Sequence, residues 1–101
     1  MNTYSKTTKM PRRAWTDNEV RALCVLYQLM LTAQRDGVKF VKAKPVREIA
    51  ASMGRSKGSV EAKLMNISGC RKATGRDWVN GYKPLSGFAK SMPAIVAECV
   101  R

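Results

Sequence analysis

Histidine is absent from this sequence, and its three cysteines, Cys24, Cys70 and Cys99, show no C-x-x-C spacing. Zinc sites use cysteine and histidine ligands at short spacing, so the composition argues against one. Serine–histidine triads, cysteine–histidine dyads and histidine-dependent nucleases lack their base here. We therefore expect no enzyme, no metal and no other cofactor, and we expect the cysteines to be buried, reduced thiols.

Acidic residues are scarce. The 101 residues include 7 Asp+Glu against 19 Lys+Arg, which gives a formal net charge of +12. A chain of this length forms at most one domain, and a hydrophobic content of 45% is high enough for it to fold. A strongly positive surface attracts polyanions, so nucleic acid is the first partner to consider.

Long apolar runs are also missing. The densest stretch, residues 22–31, contains only Gln28 as a polar residue and is half the length of about 20 residues that a membrane span needs. No apolar run follows the first charges of the chain, so no secretory signal is expected. These absences predict a cytoplasmic protein with no membrane partner.

The apolar residues that are present follow helical periods, which predicts an all-α fold. Thr16 with Glu19 three residues later forms a capping box, and the first helix is predicted to run to about Arg35, with Gly37 ending it. One apolar stripe of this helix consists of Val20, Leu23, Cys24, Tyr27, Met30 and Leu31. A second lies nearly opposite and consists of Ala22, Val25, Leu26, Leu29 and Ala33.

The second stripe must be hidden from water. We expect the C-terminal segment to cover it, which favours a monomer; the alternative is a symmetric dimer.

The middle of the chain is predicted to hold two further helices. Residues 37–44 alternate partly, which leaves a short strand and a loop both open. Pro45 is predicted to open the second helix, which Gly54 ends. Ser56 is the N-cap of a third helix that is predicted to continue to Ile67.

The C-terminal part is expected to wrap the helices. Residues 68–91 are rich in glycine and basic residues, but they also contain Trp78 and Phe88 and so are too apolar for a free linker. Ser91 is predicted to cap a last short helix. Trp15 and Trp78 are expected to lie in the core rather than stack on bases.

The second and third helices, separated by a short turn at Gly54, have the arrangement of a helix-turn-helix unit. With the Trp15-Thr16…Glu19 start, this pattern resembles a Myb/SANT-like three-helix domain. It is more specifically similar to the domain that precedes the nuclease in many bacterial HNH endonucleases, whose third helix often reads R-S-x-x-S-V-x-x-K-L-x-N. Those letters fall here on Arg55, Ser56, Ser59, Val60, Lys63, Leu64 and Asn66. The likeness spans residues 15 to about 98.

The resemblance implies binding of double-stranded DNA without catalysis, because the chain stops where the nuclease of that family would begin. It also suggests a small regulator from a bacteriophage or mobile element that occupies a DNA site in the bacterial cytoplasm or nucleoid, with a role in transcription regulation. Residues 1–14 would be a flexible basic arm that follows the phosphates or enters the minor groove, and residues 15–100 the helix-turn-helix domain.

The third helix would carry the contacts. Lys57, Lys63 and Ser56 are the expected phosphate anchors, while Ala62 would touch a thymine methyl group and Asn66 would read adenine. The predicted DNA-binding residues are Arg12, Arg13, Lys42, Lys44, Arg55, Ser56, Lys57, Ser59, Ala62, Lys63, Asn66, Arg71 and Lys72.

Glu61 leaves two interpretations open, a hydrogen bond from cytosine or an ion pair with Arg55, Lys57 or Lys63; we expect the ion pair.

Two other function classes remain open. A small basic inhibitor or adaptor would use the same charge to occupy an acidic patch or a nucleic-acid-binding groove of a host protein. An RNA-binding protein of ribosomal type is the second alternative. A DNA reader needs its Lys and Arg around the third helix, whereas an inhibitor can place them anywhere.

Overall fold

The computed structural model describes residues 14–101, and within them it contains four α-helices and no strand. These helices are α1 (Asp17–Arg35), α2 (Ala43–Met53), α3 (Lys57–Ala73) and α4 (Met92–Cys99). The all-α prediction is confirmed. Of residues 37–44, for which a strand and a loop were both open, residues 37–42 form a loop and residues 43–44 belong to α2. The predicted arm, including Arg12 and Arg13, lies outside the described residues except for Ala14.

Local sequence fixes both ends of α1 as predicted. The Thr16 hydroxyl accepts a hydrogen bond from the Glu19 amide at 3.1 Å, and the Glu19 carboxylate accepts one from the Thr16 amide at 3.0 Å. These two bonds form the capping box and satisfy amides that have no partner within the helix. At the other end, Gly37 adopts a φ of 69°, and the Val38 amide donates to the Ala33 carbonyl at 2.8 Å.

The core forms where α1 packs against α3 and α4, and Tyr27 of α1 is its largest fully buried side chain. The Tyr27 hydroxyl lies 2.7 Å from the Ser68 hydroxyl of α3 and accepts a hydrogen bond from the Val79 amide at 2.9 Å. Burial raises the pKa of Tyr27. This hydroxyl therefore joins α1, α3 and the segment that follows α3.

Two helix boundaries differ from the prediction. The second helix begins at Ala43, two residues before Pro45. Pro45 is tolerated in the first turn, because a proline there removes no helical hydrogen bond. The third helix continues past Ile67 to Ala73, so the wrapping segment starts after Ala73 rather than at residue 68.

Gly69 lies inside α3 at the point where the backbone of Leu85 crosses the helix. A Cβ atom at this position would lie 2.3 Å from the carbonyl oxygen of Leu85. Glycine is therefore needed where the chain crosses the helix, and it does not end the helix.

The second apolar stripe of α1 is only partly buried, in contrast to the prediction. Leu26 is buried, but Val25 and Leu29 remain 64% and 56% exposed. The C-terminal helix does pack on α1, but it follows another side of it, where the Ser91 hydroxyl meets Asp17 at 3.2 Å and the Arg101 amide donates to Gln28. The expectation that the C-terminal segment hides the whole stripe is wrong.

The cysteines form no disulfide within the described range. Cys24 and Cys70 are buried as predicted, while Cys99 is half-buried. Burial raises the pKa of Cys24 to about 12 and that of Cys70 to about 11, so both thiols are protonated at neutral pH. No helix in residues 14–101 is long and apolar enough to cross a bilayer.

Candidate nucleic-acid interface

The chain segment at residues 85–86 crosses α3 between Met65 and Gly69. The Leu85 amide donates to the Met65 carbonyl at 3.0 Å. The Asn66 side-chain amide donates to the carbonyls of Leu85 and Ser86, at 2.9 and 3.2 Å. Asn66 is only 6% exposed, so it holds this segment in place. Both amide hydrogens of Asn66 are thus used within the protein, so this residue does not lie on the exposed surface where the adenine contact was predicted.

Arg71 is a second predicted DNA contact that the fold has buried. Its side chain is 2% exposed and lies 2.9 Å from the Asp77 carboxylate. It also donates to the carbonyls of Asp77 at 2.8 Å and of Val100 at 3.2 Å. Buried charges persist when they are paired and hydrogen-bonded. Arg71 therefore fixes the segment after α3 and does not lie on the exposed surface where a DNA contact was predicted.

The Asp77 carboxylate also forms an ion pair with a second arginine at the protein surface. Arg35 of α1 pairs with it at 2.9 Å. Hydrogen bonds from Arg35, and also from Arg71, lower the pKa of Asp77 to about 2. The carboxylate thus links the end of α1 to the end of α3.

Arg55, in the turn before α3, is likewise occupied within the protein. Its guanidinium lies 4.0 Å from the centre of the Trp15 ring, pairs with Glu19 at 2.9 Å and donates to the Ala14 carbonyl at 3.0 Å. The Arg55 side chain is only 8% exposed. Arg55, one of the predicted DNA-binding residues, thus anchors Trp15 and the start of the described chain to the turn between α2 and α3. Trp15 packs against the core, as predicted.

The first half of α3 remains open to solvent. Lys57 and Gly58 are exposed, and Ser59, Ala62 and Lys63 are half-buried. The Ser56 hydroxyl accepts the Ser59 amide at 3.1 Å and caps the helix as predicted. We call this surface, formed by Lys57, Gly58, Ser59, Glu61, Ala62 and Lys63, the α3 face.

The two edges of the α3 face carry positive charge. On one edge, the Lys63 ammonium lies 5.6 Å from the Trp15 ring, and its pKa is lowered by partial burial and by the nearby Arg55. On the other edge, Lys57 and Glu61 line an open pocket of about 290 Å³ together with Lys42 and Tyr82. Gly58 and Ala62 lie between these edges and present little bulk.

The remaining predicted residues lie around or beyond this face. Lys42 donates to the Asn80 carbonyl and lies 5.0 Å from the Tyr82 ring, so it is fixed at the pocket. Lys44 makes a long, exposed pair with Glu48 at 4.0 Å, a contact that adds little stability. Lys72 is exposed on the last turn of α3, about 22 Å along the helix axis from Lys57.

Sequence reasoning did not place Tyr82 beside α3. The signal was weak, because an aromatic residue in a glycine- and lysine-rich segment does not reveal which helix it contacts. Within residues 14–101, no group of three or more potential ligands could hold a metal ion.

Comparison with protein-family models, with curated proteins and with solved structures found no match.

Proposed function

We propose that this chain binds double-stranded DNA by inserting the first half of α3 into the major groove. The observation that carries the proposal is the α3 face itself, which has a lysine on each edge and two of the smallest side chains, Gly58 and Ala62, between them. In the described part of the chain neither Lys57 nor Lys63 forms an ion pair, whereas Arg35, Arg55 and Arg71 all do.

The spacing of the two lysines fits this groove. Six residues of α-helix separate them by about 9 Å along the axis and place them on different sides of the helix. The major groove of B-DNA is about 12 Å wide. A helix lying in it would therefore bring Lys57 and Lys63 toward phosphates on opposite walls, while the small residues approach the base edges.

Other features support the same orientation. Lys42 adds a third positive side chain beside Lys57. The described chain starts at Ala14, whose carbonyl accepts a hydrogen bond from Arg55, on the edge of the α3 face where Arg55 and Lys63 both lie at the Trp15 ring. The proposal includes the Myb-like helix-turn-helix arrangement and the role as a small phage or mobile-element regulator that the resemblance implies.

Salt-dependent binding tests the proposal. We expect the chain to bind a labelled 20-base-pair duplex with an affinity that falls steeply with salt. Lys57→Ala and Lys63→Ala should each weaken binding to every duplex and reduce the salt slope by about one ion.

Arg76→Ala provides a charge-matched control. Arg76 is exposed and lies at the far end of α3, where its amide donates to the carbonyl of Arg71, a residue about 21 Å along the helix axis from Lys57. This variant should keep the wild-type salt slope. Equal losses in all three variants would mean that binding is diffuse, and unchanged affinity in both lysine variants would move the interface away from α3.

A second candidate function is the small basic adaptor that binds a host protein. Exposed Val25 and Leu29, on one side of α1, favour it, because exposed apolar residues that lie together mark protein contacts. A Val25→Ser/Leu29→Ser variant distinguishes the two functions. It should bind duplex DNA like the wild type if the α3 face is the interface. Failure of the wild type to bind any duplex would leave the adaptor, or RNA if a single-stranded or hairpin RNA binds instead.

A further inference from the structure

Glu61 is the only acidic residue of α3, and it lies on the face that the proposed function brings against phosphates. The sequence favoured an ion pair for it, but the structure does not show one. Arg55 pairs with Glu19 instead, Lys63 lies over Trp15 on the other edge, and within residues 14–101 no ion pair or hydrogen bond of the Glu61 side chain is found.

A free carboxylate in this position weakens binding to the DNA backbone, because it repels the same phosphates that the lysines attract. It contributes to binding only where it can accept a hydrogen bond. In the major groove, the donors are the N4 amino group of cytosine and the N6 amino group of adenine, and glutamate characteristically accepts from cytosine N4. The neighbours Gly58 and Ala62 leave room for such an approach.

The surroundings of Glu61 limit where its carboxylate can go. Tyr82 is 6% exposed and lines the same pocket. Burial, and then the charge of Glu61, raise the pKa of Tyr82. Lys42 lies over the Tyr82 ring and is held by the Asn80 carbonyl. Tyr82 and Lys42, which line the pocket together with Glu61, are therefore held in place by the fold, while Glu61 itself stays half-exposed on the α3 face.

We infer that Glu61 determines the sequence specificity of this interface by accepting a hydrogen bond from the N4 amino group of a cytosine in the major groove. The inference rests on the proposed function, because it needs α3 to lie in that groove. The Glu61 carboxylate then discriminates between bases, while Lys57 and Lys63 contribute affinity through the phosphates.

The test combines selection from random duplexes with competition by single-base variants of the selected site. Wild type should prefer C·G at one position by about 5- to 150-fold. Glu61→Ala should lose this preference and bind unselected duplexes more tightly. Glu61→Gln should shift the preference toward adenine, whose N6 and N7 atoms match a glutamine amide.

Glu48→Gln is the matched control, since it removes one exposed acidic charge from the neighbouring helix α2. It should tighten binding slightly and leave the base preference unchanged. An intact C·G preference in Glu61→Ala, or a wild type that binds duplexes with no base preference at all, would overturn the inference while leaving DNA binding in place. A wild type that binds no duplex would overturn both proposals.

Discussion

Replacing Gly69 by alanine tests the crossing of α3 by residues 85–86, which limits the α3 face to the first half of the helix. An added Cβ would lie 2.3 Å from the Leu85 carbonyl oxygen and 2.9 Å from its carbonyl carbon. Both distances are far inside van der Waals contact, and the obstacle is backbone rather than a mobile side chain. The chain at Leu85 must therefore move away from the helix.

That movement breaks specific interactions. The bond from the Leu85 amide to the Met65 carbonyl is 3.0 Å long, and that from Asn66 to the Leu85 carbonyl is 2.9 Å. Overpacking typically destabilises a protein by about 1 to 3 kcal/mol, and each lost hydrogen bond by about 1 kcal/mol. The higher helix propensity of alanine offsets about 0.5 to 1 kcal/mol of this. We expect the free energy of unfolding of Gly69→Ala to fall by about 2 kcal/mol, which lowers Tm by about 8 to 16 °C.

Gly58 supplies the matched control on the same helix. A Cβ at Gly58 would have no heavy atom within 4 Å, so Gly58→Ala gains helix propensity without a clash. It should raise the free energy of unfolding by about 0.5 kcal/mol. Urea denaturation followed by far-UV circular dichroism gives both values. If Gly69→Ala were as stable as Gly58→Ala, residues 85–86 would not cross α3 and its second half would be open.

Two further predictions concern buried contacts. Asn66→Ala should lower the free energy of unfolding by about 1 to 3 kcal/mol, because it leaves the carbonyls of Leu85 and Ser86 unsatisfied. The variant should keep the base preference of the wild type when it binds duplex DNA. A changed base preference would show that Asn66 belongs to the DNA interface. The pKa of Asp77 in the folded state is about 2, against the ordinary value of 3.8, so its contribution to stability is present above about pH 4 and is lost as the pH falls toward 2. The urea midpoint of the wild type should therefore drop more between pH 5 and pH 2.5 than that of Asp77→Asn, and equal drops would show that this carboxylate does not stabilise the fold.

Short-range signals in the sequence predicted the helix ends that local chemistry determines. Thr16 with Glu19, Gly54 and Ser56 all stop or start helices where expected. The third helix was predicted to end at Ile67, but α3 continues through Gly69, where the missing Cβ makes room for a backbone crossing that begins sixteen residues later. The residues near Gly69 in the sequence give no information about that crossing.

Two residues of the predicted interface are buried for a related reason. Arg71 and Asn66 are residue types that often contact DNA, and nothing near them in the sequence indicates burial. Their partners, Asp77 and the carbonyl of Leu85, are placed by the fold of the wrapping segment. Lys57 and Lys63, which follow the Ser56 cap, lie on the half of α3 that stays open to solvent.

The most direct test of the account is an NMR titration that follows backbone amide signals as a selected duplex is added. DNA binding through the α3 face predicts the largest shifts at residues 56–63, with Trp15 and Tyr82 affected at the edges and residues 66–73 shifted least along α3. Shifts that instead cluster on the exposed side of α1, around Val25 and Leu29, or that spread evenly over all basic residues, would contradict it.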